Sequence, residues 1–143
     1  MTTVKMAIPR DFILGAAASA WQTEGWSGKQ EGQDSWPDLW YKNDRHVWHN
    51  GYGPAVATDF INRFREDVQL MKLAGLTHYR TSINWSRFLT DYENVTVDEA
   101  YATYYDQLFD ELLANGIEPM INLYHFDMPE ALQKQYGGFE SAH

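Results

Sequence analysis

Within Tyr124-His125-Phe126-Asp127-Met128-Pro129-Glu130, a histidine and an aspartate stand two residues apart. The segment follows a strand-like run, Pro119 to Leu123, and opens a helix-like run, Glu130 to Tyr136. Imidazole and carboxylate groups at the C-terminal end of a strand sit where α/β folds bind ligands and do chemistry. Similar groups follow two earlier strand-like runs. Gln22 and Glu24 come after the first, and Asn84, Trp85 and Arg87 after the second. Each has a plainer reading. Gln22 and Glu24 suit a solvated loop, His125 a packing role, and Asp127 the cap of the helix announced by Pro129 and Glu130. Arg80 is harder to explain away. On a barrel-facing position its charge needs an anionic partner, predicted to be a carboxylate on another strand.

The elements that must position these groups alternate strand and helix. Phe12 to Ala18 reads as a buried strand whose small residues admit a neighbouring backbone closely. Trp26 to Val56 reads as one long loop, rich in Gly, Trp and polar residues, of the kind that is usually functional. Asp59 to Ala74 carries Phe60, Phe64, Val68 and Met71 at helical spacing, with Gly75 as a stop. Thr77 to Asn84 alternates, with His78, Arg80, Ser82 and Asn84 on one face and Tyr79, Thr81 and Ile83 on the other. Thr96 and Glu99 form a capping-box pattern, followed by the helical face Tyr101, Tyr104, Tyr105, Leu108 and Leu112, which ends at Asn115-Gly116. Ile117 to Leu123 is the third strand. Such alternation predicts a parallel sheet. The polar face of the second strand does not suit an open doubly wound sheet, whose strands are apolar on both faces. It suits a (β/α)8 barrel, which takes about 250 residues. The 143 residues are therefore expected to form a single domain, 1–143, supplying about the first three βα units of a TIM barrel.

Composition narrows the function. A formal net charge of −9 argues against general nucleic-acid binding, because phosphate backbones need a basic footprint. No apolar run approaches the about 20 residues of a membrane helix, and Met1 to Met6 shows no extended apolar stretch of a secretory signal. The chain has no Cys, hence no disulfide framework and no thiolate metal site. His46, His49 and Asp44 do not amount to a metal motif, and no cofactor is expected. Six Trp in a chain that is 15% aromatic suit either loop packing or a surface on which sugar rings stack.

Four ordered blocks carry a family resemblance. They are Ile8-Pro9-Arg10-Asp11-Phe12-Ile13-Leu14-Gly15 continuing through Trp21-Gln22-Thr23-Glu24-Gly25, then Arg63 to Lys72, then Tyr79 to Arg87, then His125 to Pro129. Together they resemble glycoside hydrolase family 1, the retaining β-glycosidases on a TIM barrel. The resemblance implies that Gln22 and His125 hydrogen-bond sugar hydroxyls in the −1 subsite. It puts Arg80 beside the nucleophilic carboxylate and Phe126 where many members have Trp. Phe139 likewise replaces a common Trp, and Asn62 a common His. The family's acid/base and nucleophile follow the fourth and seventh strands in Asn-Glu-Pro and Glu-Asn-Gly settings, and neither motif occurs in this chain. No residue here is therefore assigned as catalytic, and the chain alone is expected to be inactive. Glu118 sits at the wrong end of its strand to substitute, and Glu130 suits a helix first turn. Asp34 to Trp40, His46 to Gly53 and Phe126 look most like the 6-phospho-β-glucosidases, implying a phosphorylated sugar substrate met in the cytoplasm. The alternatives are a β-glucosidase or β-galactosidase on free sugars, and a non-catalytic carbohydrate-binding protein.

Overall fold

The computed structural model describes residues 7–141, so Met1 to Met6 lie outside the described residues. The elements in chain order are β1 (Gly15–Ala17), α1 (Ala20–Thr23), α2 (Trp36–Asn43), two 3-10 turns (Arg45–Val47 and His49–Gly51), α3 (Phe60–Leu73), β2 (His78–Ser82), α4 (Trp85–Phe88), β3 (Leu89–Asp91), β4 (Thr96–Val97), α5 (Glu99–Ala114), β5 (Glu118–Asn122), α6 (Glu130–Tyr136) and a closing 3-10 turn (Gly138–Glu140). β1, β2 and β5 form one parallel sheet in that order, with Ala17 beside Arg80 and Ser82 beside Asn122. This is the predicted βαβαβ order, with α3 and α5 as the crossovers and α6 opening the third unit. β3 and β4 make a small antiparallel hairpin between α4 and α5.

The predicted apolar faces of α3 and α5 build the core. Phe60, Phe64 and Val68 meet Tyr79 of β2, Tyr101, Tyr104, Tyr105, Leu108 and Leu112 of α5, and Ile117. Phe64 and Tyr104 join the two helices edge to face, with ring centroids 5.7 Å apart. Each such side chain contributes about 1.5–3 kcal/mol by leaving water. Tyr79 faces this core, so alternation along β2 turns Arg80 to the opposite side of the sheet.

The first strand is shorter and more exposed than its composition predicts. Only Gly15–Ala17 pair, with β2 alone among the described residues, and they are exposed, as are Phe12 (55%) and Ile13 (60%) before them. The close approach does occur. A Cβ on Gly15 would stand 3.0 Å from the His78 carbonyl oxygen.

Three local expectations are corrected. Trp26 to Val56 is not one loop, because α2 interrupts it, opened by a Ser35–Asp38 capping box with Pro37 in the first turn. The cap of α5 is Asp98, whose Oδ1 accepts the Tyr101 N–H at 3.0 Å, while Thr96 belongs to β4. Asp is as good a cap as Thr, and Thr96 is held in the hairpin opposite Asp91. Asp127 does not cap α6. Pro129 takes that position without a side-chain hydrogen bond, and Asp127 is buried in the preceding loop.

Candidate active site

The C-terminal ends of β1, β2 and β5 converge through Arg80. Its Nη1 donates to the Ala18 carbonyl oxygen at 3.1 Å and lies 3.3 Å from His125 Nδ1. Asn122 Nδ2, at the end of β5, approaches the same Nδ1 at 3.4 Å. Arg80 is half-buried, and no carboxylate pairs with it among the described residues. His125 is half-buried as well.

Gln22 stands exposed on α1, its Oε1 accepting the Ser19 hydroxyl at 2.8 Å. It lines a cleft of about 750 Å³ with Trp21, Tyr41, Trp48 and Tyr52, which neither Arg80 nor His125 lines. Trp21 links the two regions, its ring centroid 5.6 Å from that of Phe126.

The loop bearing His125 is pinned at several points. Phe126 has φ 51°, a left-handed conformation unusual for a bulky residue. The Trp36 indole N–H donates to its carbonyl oxygen. The Trp36 N–H donates to the Met128 carbonyl at 2.9 Å, and the Glu130 N–H to that of Asp34 at 2.9 Å. Ser35 and Pro129 form an isolated antiparallel bridge. The entrance of α2 is thus a strap across the 126–130 loop.

Asp38 holds that strap. Its Oδ1 accepts the indole N–H groups of Trp21 and Trp26, both at 2.9 Å. Its Oδ2 accepts the Ser35 backbone N–H and hydroxyl at 2.9 Å and pairs with Lys29 at 2.6 Å. Lys29 also meets Asp34 at 2.7 Å, and Lys42 meets Asp34 at 2.6 Å. Burial pulls Asp34 upward, but the hydrogen bonds and charges of the two lysines outweigh it and hold the carboxyl below its ordinary range. Beyond the strap, Trp36 and Trp40 stack with an interplanar angle of 20° and remain 39% and 44% exposed.

Several groups that suggested chemistry do structural work instead. Glu24 is not a solvated loop residue. It is 2% exposed and accepts hydrogen bonds from the hydroxyls of Tyr105, at 3.0 Å, and Tyr101. Burial raises its pKa to about 7, against the lowering effect of those phenols and of Arg87. Arg87, 3% exposed, donates to the carbonyls of Gly25 and Ser27 and lies over the Tyr101 ring. Asn84 accepts from Ser86 at 2.8 Å. Asp127 Oδ1 accepts the His125 N–H at 3.3 Å, while Oδ2 is buried without a hydrogen-bond partner among the described residues. Burial raises Asp127 to about 7 as well. Asp44 accepts the His46 N–H at 3.0 Å, a turn role. Glu118 stands opposite His78 in the strand register at the N-terminal end of the sheet, away from His125.

Sequence reasoning assigned Asn122 no role, and Trp36 and Asp38 counted only within the Asp34 to Trp40 resemblance. Asn122 was hidden inside an apolar strand, although a polar residue three before His125 was a usable signal. Ser35-x-x-Asp38 was a visible cap pattern in the stretch read as loop.

Parallel strands joined by helices, with Arg80, Asn122 and His125 gathered at their C-terminal ends, match the first units of a (β/α)8 barrel. The chain belongs to glycosyl hydrolase family 1, whose family model matches residues 4–143. It is 43% identical over 133 residues to "6-phospho-beta-glucosidase GmuD" of Bacillus subtilis (strain 168), covering 92% of this chain and 28% of that protein. It is 40% identical over 136 residues to "Aryl-phospho-beta-D-glucosidase BglC" of the same organism, covering 94% and 28%. Among solved structures, the psychrophilic beta-glucosidase BglU from Micrococcus antarcticus matches with a TM-score of 0.82 at 39% identity, covering 94% of this chain and 28% of that one. The chain thus spans 28% of the length of each of these relatives. No helix among the described residues is long and apolar enough to cross a membrane.

Proposed function

We propose that this chain supplies the sugar-binding first quarter of a retaining β-glycosidase that acts on 6-phospho-β-glucosides. The observation that carries the reading is the meeting of Arg80 and His125 at the strand ends, 3.3 Å apart, in a chain of this family. In this reading Gln22 and His125 bind hydroxyls of the sugar undergoing cleavage, and Phe126 walls the same subsite. Arg80 supports the nucleophilic carboxylate. Retention requires two carboxyl groups about 5–5.5 Å apart, an acid/base and a nucleophile. Glu24 and Asp127 do not serve as that pair, because both are buried in structural hydrogen bonds. The pair belongs to the part of the fold outside this chain. The phosphorylated substrate is favoured by the similarity to two proteins named for phospho-glucosides, and a cytoplasmic setting follows from such a substrate.

A second reading, hydrolysis of unphosphorylated β-glucosides, is favoured by 38% identity to the "Cytosolic beta-glucosidase" of Cavia porcellus. The experiment compares nitrophenyl 6-phospho-β-glucoside with nitrophenyl β-glucoside as substrates of the full-length polypeptide. The expected outcome is a preference in kcat/KM of about 10²-fold or more for the phosphorylated sugar. A site built for a phosphate dianion leaves buried donors unpaired when the phosphate is absent. Equal or better turnover of the free glucoside overturns the phosphate reading and leaves a β-glucosidase.

A further inference from the structure

We infer that Arg80 and Asn122 together lock His125 in the tautomer that carries its proton on Nε2, which makes the ring a fixed hydrogen-bond donor toward the sugar. Asn122 is thereby a positioning residue. The inference rests on the reading of His125 as a sugar contact, but its first test is independent of any sugar.

A neutral imidazole has one N–H and one acceptor nitrogen, and its surroundings decide which is which. Two groups meet His125 Nδ1. Arg80 Nη1 lies at 3.3 Å and Asn122 Nδ2 at 3.4 Å. A primary amide is ambiguous, since turned over it would offer oxygen to the ring and accept from Nδ1–H. A guanidinium has donors only. Arg80 therefore breaks the tie. A proton on Nδ1 would face the guanidinium N–H, so Nδ1 accepts and the Asn122 amide shows it nitrogen. The proton is left on Nε2, which has no hydrogen-bond partner among the described residues.

The strands make this arrangement stiff. The same Arg80 Nη1 that meets His125 also donates to the Ala18 carbonyl at 3.1 Å, which fixes its position. Asn122 ends β5 opposite Ser82 of β2. The His125 backbone is held by Asp127 on both sides, its N–H donating to Oδ1 at 3.3 Å and its carbonyl accepting the Asp127 N–H at 2.8 Å.

The test is the imidazole ¹⁵N spectrum of the 143-residue chain, at a pH where the His125 ring carries a single proton, with His125→Gln used to assign its signals. The expected result is a protonated Nε2 and an unprotonated Nδ1. The opposite pattern overturns the inference with no variant needed. Neutron diffraction from crystals of the full-length polypeptide gives the same readout by locating the proton. Asn122→Asp then keeps the shape but puts a carboxylate beside Nδ1, which pairs with Arg80, draws that donor off the ring and accepts in its place, so the ring is expected to move toward the Nδ1–H form. An unchanged tautomer in this variant overturns the role of Asn122. In the full-length polypeptide, Asn122→Asp is expected to lower kcat/KM about 10-fold or more, on whichever aryl glycoside is turned over. A shifted tautomer with unchanged kinetics in both Asn122→Asp and His125→Ala overturns the sugar-contact reading, not the tautomer.

Discussion

Arg80 of β2 and His125, three residues past the end of β5, meet side chain to side chain at 3.3 Å. They are 45 residues apart in sequence, yet parallel pairing of their strands brings them to one end of the sheet. A cation that reaches a neighbouring strand's histidine and the carbonyl of Ala18 ties all three strand ends into one unit. Its loss is therefore felt at both neighbours.

If Gln22 and His125 hold hydroxyls of the reacting sugar, their bonds strengthen as the ring flattens toward the oxocarbenium-like transition state. Gln22→Ala and His125→Ala in the full-length polypeptide are each expected to lower kcat/KM by roughly 10²-fold or more, about 2.7 kcal/mol. Urea midpoints should stay near wild type, since Gln22 is exposed and His125 lies outside the core. Wild-type kinetics in either variant would return that residue to an ordinary loop role.

The 143-residue chain by itself is expected to release no nitrophenol from either aryl glycoside. Retaining hydrolysis needs both an acid/base and a nucleophile. The chain contains no Asn-Glu-Pro or Glu-Asn-Gly motif. Turnover above a heat-inactivated control would show that a carboxylate of this chain serves in their place.

Asp38→Ala is expected to cost about 3–5 kcal/mol, the scale for removing one partner of a buried ion pair. Lys29, whose side chain is 8% exposed, would keep only Asp34, and the Trp21 and Trp26 indole N–H groups would lose their acceptor. The measurement is the urea midpoint of the variant. A midpoint equal to wild type would mean that the strap is held by packing alone.

Glu24 and Asp127 set a pH dependence. Their folded-state values, both about 7, lie above the ordinary 4.5 and 3.8. The folded state therefore prefers the neutral carboxyls. Their contribution is fully present below about pH 4, declines from there through about pH 7, and is absent above. Asp34, held low, works in the opposite sense and loses its contribution as the pH falls through the acid range. Stability is thus expected to be higher at pH 5 than at pH 8 by a few kcal/mol, on the scale of about 1.4 kcal/mol for each tenfold change in a carboxyl's proton affinity. Glu24→Gln with Asp127→Asn should flatten that slope. Urea titrations at the two pH values decide, and a slope unchanged in the double variant assigns the dependence to other groups.

Much of the architecture could be read from periodicity. The faces of α3 and α5 were set by Phe60, Phe64, Val68, Tyr101, Tyr105 and Leu108, whose spacing admits one packing direction. The polar face of β2 pointed to a barrel because Arg80 and Ser82 are costly to bury against a helix layer. What stayed hidden depends on contacts far apart in sequence. Nothing local distinguishes a Glu24 in solvent from one between two tyrosines 77 and 81 residues away. The Asp127 cap expectation failed for a related reason, since the loop geometry at Phe126 turned the carboxylate inward ahead of the helix. The strap at α2 was obscured by tryptophans that serve equally well in a loop or on a helix.

The hydrogen bond from Trp36 to Phe126 spans 90 residues. During synthesis at about 5–20 residues per second, Trp36 is made roughly 5–18 s before its acceptor. Over that interval the Trp36–Trp40 pair has no loop to clasp, and the nascent chain carries an uncovered aromatic surface. The Arg80–His125 end of the sheet is therefore among the last parts to take shape, and a pause in translation between α2 and β5 would lengthen the time in which a chaperone, or a neighbouring nascent chain, meets those indoles first.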